Sequence, residues 1–246
     1  MKRAFVLFAV FGLAAALAAG ADDKKPEKKD NTPPEGFTAL FNGKDLTNWH
    51  AAIRIDQRLK MDKDKLEAAQ KTTDEKVLPH WKVENGVLIN DGKGGNLATV
   101  KDYGNIELYV DWMIEPKGDS GIYLRGQPQV QIWDSDALDE NKFKLEYGKG
   151  SGALWNNSNP KDKVPLKKAD KQPGEWNTFH IVMKGDKVTV KLNGELVVDN
   201  VALENIWEKG KPLQAKGPIE LQQHPKQDGT TGAIKFKNIY VKELPD

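Results

Sequence analysis

From Trp81 to the end of the chain, apolar and polar residues alternate in short runs separated by turn residues. Ile106–Ile114 (IELYVDWMI) sets Ile106, Leu108, Val110, Trp112 and Ile114 on one side and Glu107, Tyr109, Asp111 and Met113 on the other, the period-two pattern of a strand with one buried face. Asp119–Asp134 (DSGIYLRGQPQVQIWD) reads as two strands joined at Gly126-Gln127-Pro128. Ile122, Leu124, Val130 and Ile132 fall on its apolar side; Tyr123, Arg125, Gln129, Gln131 and Trp133 fall on the other. Trp81–Asn90 is predicted to be a hairpin about Asn85-Gly86, a favoured two-residue turn. Trp176–Lys184, Lys187–Leu192 and Glu195–Asp199 form consecutive strands turning at Gly185-Asp186 and Asn193-Gly194. Pro218–His224 puts Glu220, Gln222 and His224 on the side opposite Ile219 and Leu221, and Ala233–Leu244 closes the chain. Many short strands with few helices predict an all-β fold, a two-sheet antiparallel β-sandwich of jelly-roll type.

The chain before Trp81 follows other patterns. Residues 53–76 are rich in Lys, Asp, Glu, Gln and Ala, with Ile55, Leu59, Leu66 and Ala69 near helical spacing and Asp62 interrupting the stripe. They are expected to form one short amphipathic helix inserted in the sandwich. Phe37, Leu40, Phe41, Leu46 and Trp49 are core candidates at the start of the domain. Asp22–Glu35 carries charge and proline with almost no apolar residue and is expected to be a flexible linker. Lys2 and Arg3 precede an apolar run over Ala4–Ala19 and the small residues Ala18-Ala19-Gly20-Ala21. Polar sequence follows at once, so residues 1–21 read as a secretory signal peptide rather than a membrane span, and residues 36–246 as a single β-sandwich domain. The expected location is exported, periplasmic or secreted. No cysteine is available for a lipid anchor.

Composition narrows the function. Removing Lys2 and Arg3 with the signal takes the 37 basic residues of the chain to 35, against 36 acidic ones. A charge near −1 gives nothing to steer nucleic acid or an anionic membrane. Zero cysteines exclude disulfides and thiol chemistry. The four histidines, His50, His80, His180 and His224, lack HExxH spacing. A calcium ion held by loop oxygens would leave little trace in sequence; no cofactor is required on the sequence evidence, and a divalent cation such as Ca²⁺ stays open.

The polar residues of Ile106–Ile114, the central hairpin and Pro218–His224 would form one floor if these strands were neighbours. Its rings could stack on sugar C–H faces, and its amides and guanidinium could bind hydroxyls. Tyr109, Asp111, Tyr123, Gln129, Gln131, Trp133 and Gln222 are therefore candidates for substrate binding. Trp155, in the long polar segment 135–172, is a candidate wall residue. A laminarinase-type hydrolase needs two flanking carboxylates, carried as E-x-D-x-E on one strand face. Here that parity holds Gln129, Gln131 and Trp133, which argues against ordinary retaining hydrolysis.

The ordered blocks LFNGKDLTNW, WKVENGVL, SGIYLRG with QVQIWD, GALWNN, GEWNTFHI, LNGELVVDN, GPIELQQH and FKNIYVKEL resemble the 3-keto-disaccharide hydrolase domain family across about residues 36–244. The resemblance implies a concanavalin- or laminarinase-like jelly roll and cleavage of glycosides already oxidised at C3. Such cleavage needs a base near C2, a donor for the C3 oxyanion and an acid for the leaving oxygen. Arg125 is expected to bind the oxyanion or a hydroxyl. His224 is expected to act as base or acid, with Glu220 an alternative proton carrier. Asp134 is a catalytic candidate that could equally ligate a metal or form a turn. Gln129 stands where related sequences often carry Glu, and an amide cannot serve as a base. The competing reading is a non-catalytic carbohydrate-binding module. If the full chain is expressed in a Gram-negative host, the intact mass of the periplasmic protein should correspond to a mature chain starting within a residue or two of Asp22; an unprocessed mass would overturn the signal-peptide reading.

Overall fold

Two antiparallel sheets bury their apolar sides against each other in the computed structural model, which describes residue 1, residues 29–138 and residues 149–245. Residues 2–28, nearly all of the expected signal peptide and the first part of the linker, lie outside the described residues. The larger sheet has eight strands. In chain order they are β1 (Thr38–Ala39), β3 (Trp81–Glu84), β4 (Val87–Asn90), β6 (Ile106–Ile114), β9 (Asn177–Lys184), β10 (Lys187–Leu192), β11 (Glu195–Ala202) and β13 (Ile234–Glu243). Their spatial order is β11-β10-β9-β6-β13-β4-β3, with β1 also paired to β13. The smaller sheet has five strands: β2 (Trp49–Ala51), β5 (Leu97–Thr99), β7 (Asp119–Leu124), β8 (Gln127–Trp133) and β12 (Glu220–Leu221), ordered β2-β5-β12-β7-β8.

The alternation in the sequence explains this packing. Along β6 every second residue from Ile106 to Ile114 is buried, and Leu108, Val110 and Trp112 share a core with Ile122, Leu124, Val130, Ile132, Ile219 and Leu221 of the other sheet. Burial of this apolar area, at about 25 cal/mol per Å², is the main force holding the layers together.

Three expectations change in detail. The helical stretch is two helices, α1 (Ile55–Arg58) and α2 (Lys63–Val77). Asp62, which breaks the apolar stripe, is the N-cap of α2 and accepts from the Lys65 backbone N–H at 2.9 Å. Leu59 is exposed, so the stripe that packs is only Ile55, Leu66 and Ala69. The linker is ordered at its end: Asn31 donates its backbone N–H to Asn238 Oδ1 at 2.6 Å and its side-chain amide to Gly86 O at 2.8 Å.

The central hairpin turns at Arg125-Gly126, one residue earlier than expected, with Gln127 already in β8. Both turn residues have positive φ, 55° and 69°, as a two-residue type I′ turn requires. This removes Arg125 from the polar face. Its guanidinium donates to Gly104 O (3.2 Å), Gln214 O (3.1 Å) and Asn105 Oδ1 (3.1 Å), and the residue is buried. Gly217 packs so close that a Cβ there would lie 2.4 Å from the Arg125 carbonyl oxygen. Arg125 thus ties the turn to two loops. Arg125→Ala should lower the unfolding free energy by about 3 kcal/mol, through loss of charge-assisted bonds and exposure of the carbonyls they satisfy. A fall in the urea midpoint at unchanged slope would bear this out; an unchanged midpoint would refute it.

Candidate active site

Residues directly opposite one another in antiparallel strands share a face. The register runs His50–Ala98–Glu220–Tyr123 across β2, β5, β12 and β7. The next row, Ala51–Leu97–Leu221–Ile122, points into the core. The first row therefore lies on the outer face of the small sheet. Gly121 pairs with Gln131, and Asp119 with Trp133. The Gln222 N–H donates to Gly121 O at 2.9 Å, which carries the β12 pairing one residue further. Asp119, Tyr123, Gln129, Gln131, Trp133, Glu220 and Gln222 thus share one polar floor.

Side-chain bonds fix this floor. Gln129 Nε2 donates to Gln131 Oε1, and Gln131 Nε2 donates to Asp119 Oδ1 at 2.9 Å. His224 Nδ1 lies 3.6 Å from Asp119 Oδ2 and 2.8 Å from Pro225 O. Gln129 lies across Gly121, where any Cβ would come within 3.0 Å of its side chain. Asn96 Nδ2 donates to Glu220 Oε2 at 3.1 Å, and Gln222 Nε2 donates to Tyr123 Oη at 3.3 Å. Gln222 Oε1 is buried and has no hydrogen-bond partner.

Residues 150–155 form one wall. Gly152 N–H donates to Gln131 O (2.8 Å) and Gln131 N–H to Ala153 O (3.0 Å), adding a short rung at the edge of β8. Trp155 then meets Trp133 edge-on, with ring centroids 4.8 Å apart. Trp133 Nε1 donates to Gly150 O at 3.0 Å.

Burial sets the protonation of this face. Glu220 is 3% exposed. Desolvation pushes its carboxyl up to about 7, opposed by the Asn96 bond and the charge of Arg58. Desolvation raises Asp119 to about 6, against the pull of His224 and the Gln131 bond. Tyr123 is raised to about 12, by burial first and then by the nearby Glu220 charge, so its phenol keeps its proton. A buried carboxyl that is protonated near neutrality, beside a phenol and an Asp–His pair, can exchange protons with a bound molecule.

Of the residues chosen from sequence, Tyr123, Gln129, Gln131, Trp133, Trp155, Glu220, Gln222 and His224 come together here. Arg125 does not, for the reason given above. Asp134 is a turn-former: its Oδ2 accepts from the Lys117 N–H at 2.8 Å, and its carbonyl from Gln227 Nε2 at 2.7 Å. Tyr109 and Asp111 belong to β6 in the other sheet, so the three strands do not make one floor. Tyr109 stacks on His180 at 4.4 Å. The Asp111 oxygens accept from Thr178 Oγ1 (2.6 Å) and Asn238 Nδ2 (2.7 Å). Both line a cleft of about 440 Å³ on the large sheet with Phe37 and Tyr240. Sequence reasoning missed Asp119 and Asn96. Asp119 was detectable, because it stands four residues before Tyr123 on the same parity; Asn96 was not, because its role depends on β5 lying beside β12. Among the described residues no group of three or more His, Cys, Asp or Glu is arranged to hold a metal ion.

Comparison with known proteins extends this picture. The family model described as a 3-keto-alpha-glucoside-1,2-lyase-like domain matches residues 36–242. A 3-keto-disaccharide hydrolase of Bacteroides thetaiotaomicron is 24% identical over 255 aligned residues, covering 85% of this chain and 79% of that protein. A solved Parabacteroides distasonis structure, described as a candidate glycosyl hydrolase, superposes with a TM-score of 0.61 at 24% identity, over 88% of this chain and 100% of that one. A second from the same organism, with the same description, gives 0.57 at 24% identity over 94% and 100%. The sandwich is thus a fold these proteins share.

The raised carboxyls predict a pH effect on stability. In the unfolded chain Glu220 loses its proton near the usual glutamate value of 4.5, whereas folded it holds the proton to about 7. The folded state binds more protons in that window, so stability falls as pH rises from about 4.5 to 7 and stays lower above it. Glu220→Gln should flatten this fall by up to about 3 kcal/mol, measured by urea unfolding at pH 5 and pH 8. An unchanged pH dependence would show that Glu220 is ionised throughout.

Proposed function

The chain belongs to the 3-keto-alpha-glucoside-1,2-lyase-like domain family, and from that premise we propose that it is an exported enzyme that cleaves 3-keto-glycosides, 3-keto-disaccharides among them, on the outer face of its small sheet. The observation that carries this reading is Glu220, a buried carboxyl raised to about 7 and paired in register with Tyr123.

A ketone at C3 acidifies the hydrogen on C2. His224 is suited to remove it. Its Nδ1 is directed at the Pro225 carbonyl and Asp119, so the ring proton sits there and Nε2 is left as the acceptor. The C2–H electrons form the C2=C3 bond of an enolate, and the charge moves to the C3 oxygen. Tyr123 is the donor to that oxygen: its Oη already accepts from Gln222, which leaves its own hydrogen for the ligand. The enolate then re-forms the ketone, C1=C2 forms, and the C1–O bond breaks. Glu220 gives its proton to the departing oxygen. This yields an unsaturated keto-sugar and an alcohol. Addition of water at C1, with a proton returned to C2, converts the same sequence to net hydrolysis.

A non-catalytic saccharide-binding module is the alternative, favoured by the Trp133–Trp155 pair and the carpet of amides. Such a module has no use for a buried proton-holding carboxyl.

The test uses mature protein with a 3-keto-disaccharide and its unoxidised parent, with and without chelator, products being followed by mass spectrometry. Only the keto form should be cleaved, and the chelator arm reads whether a divalent cation takes part. Glu220→Gln and His224→Asn should each lower kcat by about 10²- to 10⁴-fold, and wild-type kcat should decline above about pH 7 as Glu220 loses its proton. Binding without cleavage of either sugar would favour the module.

A further inference from the structure

Gln222 is more than nine-tenths buried, and its amide has one bonded end and one unbonded end. Nε2 donates to Tyr123 Oη at 3.3 Å. Oε1 is left as an acceptor with no partner. A buried polar group left unmatched is costly, so such an acceptor points to a donor that arrives with a ligand.

Position defines that donor. Glu220 stands opposite Tyr123, and the Gln222 N–H bonds Gly121 O, so Gln222 stands opposite Gly121. Gly121 lies two residues from Tyr123 on one side and two from Asp119, the partner of His224, on the other. Gln222 therefore sits between the donor for a carbonyl oxygen and the group that would take a neighbouring proton. Two oxygens on adjacent carbons, one a ketone and one a hydroxyl, match this pair of a phenol donor and an amide acceptor.

We propose that Tyr123 and Gln222 together read an α-hydroxy-ketone, with Gln222 Oε1 accepting the C2 hydroxyl of the 3-keto sugar. This rests on the keto-glycoside reading and refines it: the substrate must carry a free hydroxyl at C2. Holding that hydroxyl also fixes the direction of the C2–H bond, which makes Gln222 a positioning residue as well as a determinant of specificity. Substrates carrying an O-alkyl or O-acyl group at C2 lack the donor and are excluded.

The experiment is a cycle of two proteins and two substrates. Wild type and Gln222→Leu are each given a 3-keto-glycoside and its 2-deoxy analogue, and kcat/KM is measured for all four pairs. Intrinsic reactivity differs between the substrates but cancels in the ratio of ratios. Wild type should favour the hydroxylated substrate by about 10- to 100-fold more than Gln222→Leu does. Equal preference in both proteins would overturn the proposal. Gln222→Glu, which keeps an acceptor oxygen at the same place, should retain the preference even where Gln222→Leu folds poorly; its loss there would count equally against the proposal. If wild type cleaves no keto-glycoside, the parent reading fails, and the same four pairs are compared by tryptophan-fluorescence titration. A hydroxyl preference in binding that depends on Gln222 would then keep the recognition proposal alone, and its absence would remove that too.

Discussion

Everything distinctive about this molecule depends on the pairing of a two-residue strand, β12, with β7. Leu221 and Ile122 close the core on one side of that pair. On the other side the same backbone bonds hold Glu220 against Tyr123. A one-residue slip would turn the carboxyl into the core and Leu221 onto the polar outer face. The core thus enforces the register, and the register assembles the candidate site. The site is as rigid as the sandwich because its main groups stand on strands rather than on loops. His224, just beyond the strand end and about half exposed, is the exception.

The same arrangement explains why acidic groups on this face hold their protons. Taking a carboxylate out of water is unfavourable unless strong partners replace the lost hydration. Glu220 has one amide donor, and its nearest cation, Arg58, is committed to Asp102. Asp119 has the Gln131 amide, the Ser120 backbone N–H and a histidine at 3.6 Å. Desolvation therefore outweighs attraction at both, and two ordinary residues become groups that titrate near neutrality.

Much of this was legible in the sequence, because a strand with one buried face writes its parity directly into the chain. That parity sorted Tyr123, Gln129, Gln131 and Trp133 from Ile122, Val130 and Ile132 correctly, and Glu220 and Gln222 from Leu221. It said nothing about which strands are neighbours. Tyr109 and Asp111 have the right parity on the wrong sheet, so a floor drawn through them could not be distinguished from the real one. Arg125 failed for a local reason: a residue in a type I′ turn no longer follows the alternation of the strand before it. Asp62 was misread in the opposite sense, since a polar residue that seems to spoil a helix is often the residue that starts it. Asn96 is visible only once β5 lies beside β12.

The two rims of the small sheet are both covered. At β2, Gln70 of α2 donates to Ala51 O and Asp74 accepts from the Ala51 N–H, so helix side chains take the bonds a further strand would make. At β8, the Gly152–Ala153 rung takes the backbone of Gln131. Exposed strand edges are where chains at high concentration recruit one another into extended sheets. Here α2 and the Gly152–Ala153 backbone act as end-stops. At Ala51 and Gln131 the outward backbone groups are already bonded within the chain, so at these residues another copy finds no free rung.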